Sequence, residues 1–287
     1  MKYEFIEAHR HEFRVSRMCA VLHVSRSGFY EWRERPESQH AQADRALLPA
    51  IHRVHRESRQ AYGAKKTWIR LNQTGVTCGK HRVARLRRQE GIEARRKQRF
   101  RVTVEHHYST PPAPNLLQQQ FGALSPNRVW VGDMTFIRTR QGWLYLAILL
   151  DLYSRRIVGW SMNDRPDAAV VKGALEMALE HRRPPPGLIH HTDQGQIYLA
   201  RTYRECLVAH GAQVSMSAKG NAYDNAVAES FFSNLKNELV HHCDFMTRDQ
   251  ARAAIFEYIE VFYNRQRIHQ TLGYVSPVEF EQLNGVS

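Results

Sequence analysis

The sequence predicts an α/β protein in which a mixed, five-stranded sheet with flanking helices follows an all-α N-terminal region. Two patterns support this prediction: apolar residues recur at helical spacing up to about residue 94, whereas short strand-like runs dominate from residue 127. Three runs follow one another, at residues 129–137, 143–152 and 156–162, and two more, at 188–191 and 213–216, alternate with helical segments. Consecutive strands favour antiparallel hairpins and alternation favours parallel strands, so we expect both pairings in one sheet.

The composition is that of an ordinary globular protein. Of 287 residues, 43% are hydrophobic, which is enough for a buried core and excludes collagen-like, coiled-coil and wholly disordered chains. The sequence has no run of 18 uncharged apolar residues and no apolar N-terminal leader, so we expect a cytoplasmic protein without a membrane anchor. The four cysteines form no CxxC pair, and therefore neither a disulfide framework nor a zinc-finger framework is expected.

The net charge of +13 is concentrated in the N-terminal part of the chain. Residues 1–120 contain 24 Lys and Arg against 11 Asp and Glu, whereas residues 121–287 contain 17 of each kind. A basic region beside a neutral one indicates a part that binds a polyanion, attached to a globular part with another task. The alternative is a surface charge that only keeps the protein soluble.

The first part of the basic region, residues 1–40, is predicted to form short helices joined by a tight turn. Ser25 is a candidate N-cap of a helix whose inward residues are Phe29 and Trp32, at the i, i+3 spacing of one face. This arrangement is similar to a helix-turn-helix. A small helical hairpin without DNA contact fits the pattern as well.

The second predicted unit, residues 41–104, ends in a basic helix and an arginine-rich stretch. Three basic side chains share one side of that helix and can reach successive phosphates: Arg82, Arg85 and Arg88. Like charges continue at Arg95, Arg96 and Lys97, and prolines follow at positions 111, 112 and 114. Because repelling charges and prolines oppose a helix, residues 105–125 are predicted to be an extended linker, followed by an α/β core over 126–245 and a helical extension over 246–287.

Three acidic residues stand where a charge needs a partner. Asp133 interrupts an apolar strand, Asp193 follows a strand at its carboxyl end, and Glu229 lies in a helix. Taken singly, each has an ordinary interpretation: an edge-strand acid, a turn former before Gly195, and a solvated helix residue. Three converging carboxylates would repel one another, and a divalent cation would remove that cost.

Helix geometry directs Glu229 away from the apolar stripe of its helix. At about 100° per residue, Glu229 points away from Val227, and Lys236 follows two turns later on the same face. A carboxylate able to bind metal and an ammonium able to bind phosphate then share one face, about 10 Å apart along the axis. Asn225 lies one turn before Glu229, where it can contact DNA or the acid.

Spacing and flanking residues together resemble those of the DDE recombinases of the retroviral integrase superfamily. The acid-bearing elements come in the order strand, strand, helix, and 35 residues separate Asp193 from Glu229. The chain is most similar to the second-frame (OrfB-type) transposases of bacterial insertion sequences. The residues that carry this resemblance are 130–135, 191–195, 219–232 with Lys236, the C-terminal signature at 263–277, and the N-terminal motifs at 27–32 and 62–63.

The resemblance implies an RNase H-like catalytic core over residues 126–245. In that fold the first two acids lie on neighbouring strands and the third arrives on a helix. The triad would hold two Mg²⁺ or Mn²⁺ ions and carry out in-line phosphoryl transfer on DNA. The residues expected to contact the DNA, besides those of the basic helix, are Lys219, Asn225, Lys236, Arg95, Arg96 and Lys97. Viral integrases of this superfamily carry an N-terminal His/Cys zinc module whose spacing is missing here, so no zinc is expected.

The expected function is therefore that of a transposase that cleaves element ends and transfers strands. Its DNA partners would be the terminal inverted repeats and the target. It would act as a homo-oligomer, with a first-frame (OrfA-type) partner or fusion, in a nucleoid-associated state. Two alternatives remain open: an RNase H-like nuclease or resolvase that only hydrolyses, and a non-catalytic DNA-binding regulator.

Overall fold

The computed structural model describes residues 1–95, 113–118, 122–217 and 225–285, and most of the predicted linker lies outside these ranges. The chain divides into two compact units, Met1–His52 and Arg53–Ser287. The finer domain boundaries predicted from the sequence stay predictions. No helix within the described ranges is both long and apolar enough to cross a membrane.

The first unit is a cluster of short helices: α1 (Lys2–His9), α2 (Val15–Val21), α3 (Arg26–Glu34) and the beginning of α4 (Gln39–Glu57). The Ser25 hydroxyl accepts a hydrogen bond from the backbone N–H of Gly28 at 3.3 Å, which confirms the predicted cap of α3. Phe29 is fully buried against Ile6 and Met18, with Trp32 packed at the margin. The predicted inward face of α3 is therefore correct.

The second unit begins with the helices α5 (Ala64–Gln73) and α6 (Lys80–Gln89). Val83 and Leu86 of α6 are buried, as their spacing predicts. Arg87 is buried as well, and its guanidinium donates to the Tyr62 carbonyl at 3.0 Å and the Thr67 hydroxyl at 3.1 Å. Arg87 therefore joins α5 to α6, and the basic character of α6 is partly structural.

The sheet consists of β1 (Val129–Thr139), β2 (Gly142–Asp151), β3 (Ile157–Asn163), β4 (Ile189–Thr192) and β5 (Gln213–Met216), in the spatial order β3-β2-β1-β4-β5. The first three strands are antiparallel, and β4 and β5 run parallel to β1. This is the mixed five-stranded sheet that the sequence predicts. β1 and β4 are neighbours, as an RNase H-like fold requires of the strands that lead to the first two acids.

Helices cover both faces of the sheet. One core packs α7 (Ala168–Arg182) and α8 (Arg201–Ala209) against residues such as Trp130 and Leu149. The other packs α9 (Ala226–Glu238) and α10 (Arg248–Phe256) against residues such as Val131 and Ile148. Neighbouring residues of one strand thus enter opposite cores, which is the two-residue alternation of a strand buried on both faces.

One predicted helix differs in its second half. The apolar spacing predicts regular α-helix as far as Phe262, but α10 ends at Phe256 and a π-helical segment spans Glu257–Tyr263. A π-helix bonds residues five apart, so it turns Tyr258 and Tyr263 toward the same side. The rings of both then contact Phe231 of α9, at centroid distances of 6.4 Å and 4.7 Å. Packing of these aromatic rings accounts for the departure from the α-helical period.

Thr247 comes three residues before Gln250 and Ser276 three residues before Glu279, a spacing that predicts a capping box at the start of each of two helices. The Thr247 hydroxyl caps α10 by accepting from the Gln250 N–H at 3.1 Å, but the Gln250 side chain accepts from Met246 rather than closing the predicted capping box. Ser276 and Glu279 form a complete capping box at the start of α11 (Pro277–Leu283). The prediction is confirmed for α11 and only half correct for α10.

A buried cluster of charges attaches α11 to the sheet. Glu281 accepts hydrogen bonds from Ser154 at 2.8 Å, Arg156 at 2.6 Å and Arg182 at 2.8 Å. Burial alone would raise the pKa of Glu281, but the hydrogen bonds and charge of Arg182 and Arg156 outweigh it, and the pKa is lowered. Asp151 accepts from the backbone N–H of Tyr153 at 2.9 Å and so forms part of the β2–β3 turn.

Replacing Glu281 by Gln is expected to lower the free energy of unfolding at pH 7 by roughly 3 kcal/mol, because two arginines lose their buried counter-charge. A lowered pKa contributes stability above the ordinary Glu value, and that contribution disappears as the pH falls through the folded-state value. The difference between wild type and Glu281→Gln in urea unfolding should therefore shrink below about pH 4.5.

The matched control is Glu205→Gln, which removes an exposed acid paired with Arg201 on α8. It should change stability by less than about 1 kcal/mol at any pH. Equal losses in the two variants would contradict a special contribution of Glu281.

Candidate active site

The first two acids lie where the sheet opens. β1 pairs with β2 along its length but with β4 only at residues 129–131, so Asp133 comes two residues after the last β1–β4 pair, Val131 and His191. Asp193 directly follows the last residue of β4. A Cβ on Gly132 would lie 3.0 Å from the His190 ring and 3.2 Å from the Thr192 methyl, so glycine permits the close approach of the two strands.

Asp133 is only partly exposed, and its surroundings disfavour a negative charge. Burial raises its pKa well above the ordinary value, and the charge of Asp193 raises it further. The charge of Glu229 also raises the pKa of Asp133. Two groups lower it: the Met134 N–H, which donates to Asp133 at 2.7 Å, and the ammonium of Lys236. The three predicted acids are thus electrostatically coupled in the folded chain.

Asp193 also forms a local turn. Its Oδ1 accepts a hydrogen bond from the Gly195 N–H at 2.9 Å, so the turn-forming interpretation of this residue is correct. A carboxylate has several lone pairs, so accepting from Gly195 leaves it able to accept other hydrogen bonds. The turn therefore fixes the direction of the Asp193 side chain without excluding a second role.

The two histidines before Asp193 support β4 from inside. His190 shares a 2.6 Å hydrogen bond with the Tyr203 hydroxyl, and burial lowers its pKa to about 3. The His191 ring contacts the hydroxyls of Ser215 at 2.8 Å and Ser217 at 3.2 Å. These contacts connect β4 to α8 and to the end of β5, which positions the residue that follows them.

Glu229 is exposed, as the helix geometry predicts, in the first turn of α9. The opposite side of α9 is buried through Ala228, Phe231, Phe232 and Leu235. Burial raises the pKa of Glu229, and the charge of Asp193 adds to the rise. The third acid therefore belongs electrostatically to the same group as the other two.

Lys236 and Asn225 lie on the same helix as Glu229 or directly before it. Burial lowers the pKa of the half-buried Lys236, while the charge of Asp133 favours its ammonium form. Asn225 is buried, and its amide donates to the Gly132 carbonyl at 3.4 Å. The sequence predicts a contact of Asn225 with DNA or with an acid, whereas in the structure Asn225 joins the start of α9 to the backbone beside Asp133.

The donor types fit a hard divalent cation. Carboxylate oxygens are preferred ligands of Mg²⁺ and Mn²⁺, and a cation would relieve the repulsion that raises the pKa of Asp133. In the part of the chain that the structure describes, no three His, Cys, Asp or Glu side chains are close enough to hold one ion together. The fit therefore rests on charge and donor chemistry.

The predicted DNA-contacting residues have different surroundings. Arg85 and Arg88 of α6 are exposed, Arg85 donating to Gln89 at 3.0 Å, and Arg82 is half-buried. Arg95 donates to the Glu238 carbonyl at 2.8 Å, so it links the end of the helical unit to the end of α9. Three predicted residues lie outside the described ranges: Arg96, Lys97 and Lys219.

A buried ion pair at the end of α9 was not predicted from the sequence. Arg267 donates to both carboxylate oxygens of Glu238, at 2.7 Å and 3.0 Å, and the Tyr258 hydroxyl donates to the same acid at 2.8 Å. The backbone N–H of the next residue, Ile268, donates to the Tyr62 hydroxyl at 2.8 Å. The sequence signal was membership of Tyr62 in the N-terminal motif and of Arg267 in the C-terminal signature, whereas Glu238 and Tyr258 lie outside both.

Two family models described as Integrase core domain match residues 123–222 and 229–284, and a model described as HTH-like domain matches residues 42–100. The chain is 44% identical to the uncharacterized 31 kDa protein of insertion element IS600 of Shigella sonnei, over 92% of this chain and 97% of that one. It is 42% identical to transposase InsF for insertion sequence IS3A of Escherichia coli K12, over 99% of each chain.

Two solved structures are similar to parts of this chain. The HTLV-2 integrase catalytic core domain in complex with magnesium has a TM-score of 0.39 and 20% identity, over 51% of this chain and 92% of that one. The simian T-cell lymphotropic virus intasome has a TM-score of 0.47 and 16% identity, over 73% of this chain and 72% of that one.

Replacing Asp133 by Asn should stabilise the protein in the absence of divalent ions. A raised folded-state pKa means that ionising Asp133 costs stability as the pH rises above the ordinary Asp value, and an amide carries no such cost. We expect a gain of about 1 kcal/mol or more in the free energy of unfolding at pH 7, measured in EDTA by urea titration. The control, Asp164→Asn, changes an exposed acid and should have almost no effect; a destabilised Asp133→Asn would contradict the electrostatic account.

Proposed function

The chain belongs to the transposases of insertion sequences related to IS3, and on this premise we propose that Asp133, Asp193 and Glu229 are the carboxylates with which it cleaves and joins DNA. The observation that carries the proposal is their coupling: Asp133 experiences the charges of both other acids at the point where the sheet opens. A solvated helix residue or an isolated turn former would not be coupled in this way.

The proposed reaction is an in-line phosphoryl transfer. A water molecule attacks a phosphodiester at the end of the element, and the 3′-oxygen leaves with its electron pair. The freed 3′-hydroxyl then attacks a second phosphodiester and joins the strands. No residue of this chain needs to form a covalent bond with DNA.

Each nearby side chain has a role in this proposal. The Lys236 ammonium, two turns along α9 from Glu229, is suited to bind a phosphate of the DNA. Asn225 is a positioning residue, since its contact with Gly132 ties the start of α9 to β1. The turn formed by Asp193 and Gly195 directs the second acid.

The three acids would hold two divalent cations, Mg²⁺ or Mn²⁺. When bound, such ions activate the attacking oxygen and stabilise charge on the leaving oxygen. Carboxylates that raise one another's pKa support this assignment, because bound cations would compensate their charges.

The basic N-terminal region would grip the DNA. The exposed Arg85 and Arg88, together with Arg82, are proposed to contact phosphates of the terminal inverted repeats, and Arg96, Lys97 and Lys219 remain candidates. Two element ends must be brought together, so the chain would act as a homo-oligomer on DNA. A first-frame partner or fusion and a nucleoid-associated location belong to the same proposal.

Asp133→Asn, Asp193→Asn and Glu229→Gln are each expected to reduce end cleavage and strand transfer at least about a thousandfold, because each removes a charge that the reaction requires. Binding to a duplex that carries the element end should change by less than about threefold. A gel assay with labelled ends and a pre-nicked substrate measures both reactions.

The matched control is Glu176→Gln, an exposed acid paired with Lys172 on α7, which should retain full activity. Hydrolysis without joined product in the wild type would favour the nuclease alternative. Triad variants that keep wild-type function would favour a DNA-binding regulator.

A further inference from the structure

Two large aromatic side chains are exposed close to the proposed active site. Phe136 of β1 is 40% exposed and Trp143 of β2 is 46% exposed, although both belong to strands whose other apolar residues are mostly buried. Their rings meet edge to face with centroids 5.1 Å apart. Exposure of two neighbouring aromatic rings to water is unfavourable. The pair therefore indicates a surface that binds a partner.

The strand geometry places these rings on one surface beside a basic residue. Phe136 and Arg138 are two residues apart on β1 and therefore point to the same face of the sheet. Arg138 is directly opposite Trp143 in the β1–β2 register. Phe136, Arg138 and Trp143 thus form one patch, which we term the hairpin platform.

The hairpin platform is continuous with the proposed active site. The Lys236 Nζ lies 5.2 Å from the centre of the Phe136 ring, and the same ammonium interacts with the charge of Asp133. Asp133 precedes Phe136 by three residues, so it lies about 10 Å away along the strand and points to the opposite face of the sheet, and Lys236 interacts with both residues. A DNA strand that passes Lys236 would therefore bring nucleotides next to the acids onto the platform.

Trp143 also lines a cavity of about 1090 Å³. Arg138 and Trp143 line it from the hairpin, and His241 and Asp244 line it from the segment after α9. The hydrogen bond from Arg140 lowers the pKa of Asp244, and this ion pair neutralises the acid. The net character of the cavity is basic and aromatic, and its volume exceeds what one nucleotide needs.

We propose that the hairpin platform binds an unpaired nucleotide of the DNA next to the cleavage site, with its base stacked on Trp143 beside the Phe136 ring and its phosphates near Arg138 and Lys236. Exposed aromatic rings flanked by cations are the general means of binding single-stranded DNA without sequence preference. This inference rests on the proposed transposase function, which brings DNA to the neighbouring acids. A protein partner on the same surface is the competing occupant.

The test compares two DNA probes, a blunt duplex of the element end and the same duplex with three unpaired terminal nucleotides containing 2-aminopurine. Binding of the full-length protein is measured in EDTA, so turnover does not intervene. Stacking should quench the 2-aminopurine fluorescence. Trp143→Leu and Phe136→Leu should each weaken binding of the unpaired probe about tenfold and leave blunt-duplex binding within about twofold.

Two controls make the result specific. Trp143→Phe keeps an aromatic face and should retain most of the quenching. Phe256→Leu removes an equally exposed ring on α10, where it contacts Trp160, and should affect neither probe. Thermal melting verifies that each variant folds. If Trp143→Leu does not fold, Phe136→Leu alone tests the hairpin platform.

The proposal is overturned if the leucine variants bind both probes as the wild type does, or lose affinity for both equally. It is also overturned if they change the oligomeric state and leave the unpaired probe unaffected, which would assign the surface to a protein. None of these outcomes depends on catalysis, so failure of this inference is distinguishable from failure of the triad assignment.

Discussion

The unequal pairing of β1 is the constraint on which the site depends. β2 bonds to β1 along the whole strand, whereas the pairing with β4 ends at Val131. Beyond that point β1 is paired only with β2, and Asp133 is the second residue of this stretch. β4 ends one residue before Asp193, so strand ends rather than a long loop position two acids that interact electrostatically although they are distant in sequence.

Buried polar contacts place the third acid and connect the regions around it. Glu238, at the end of the helix that carries Glu229, is paired with Arg267 and bonded by Tyr258. The Tyr62 hydroxyl and the Arg95 guanidinium extend this network to the basic helical unit. Removing one partner of such a buried pair is strongly destabilising, and here the pair and the contacts around it join the helical unit of residues 53–95 to α9.

Hydrophobic period and strand order were enough to predict the mixed sheet, most helices and the outward direction of Glu229. They were not enough for features that depend on packing between distant segments. The π-helical turn at Glu257–Tyr263 follows from ring contacts with Phe231, which no local pattern contains. The sequence predicts that Asn225 and Arg95 contact DNA. In the structure, each donates to a backbone carbonyl: Asn225 to that of Gly132 and Arg95 to that of Glu238. A polar residue in a sequence does not reveal whether its partner is the protein or a ligand.

The central claim is that the three coupled acids form one cation-dependent active centre. Counting Mn²⁺ bound to the protein–DNA complex by electron paramagnetic resonance tests it most directly. The account predicts about two ions per chain in the wild type and loss of at least one in Asp193→Asn, with DNA binding retained. Unchanged Mn²⁺ binding in Asp193→Asn would contradict it.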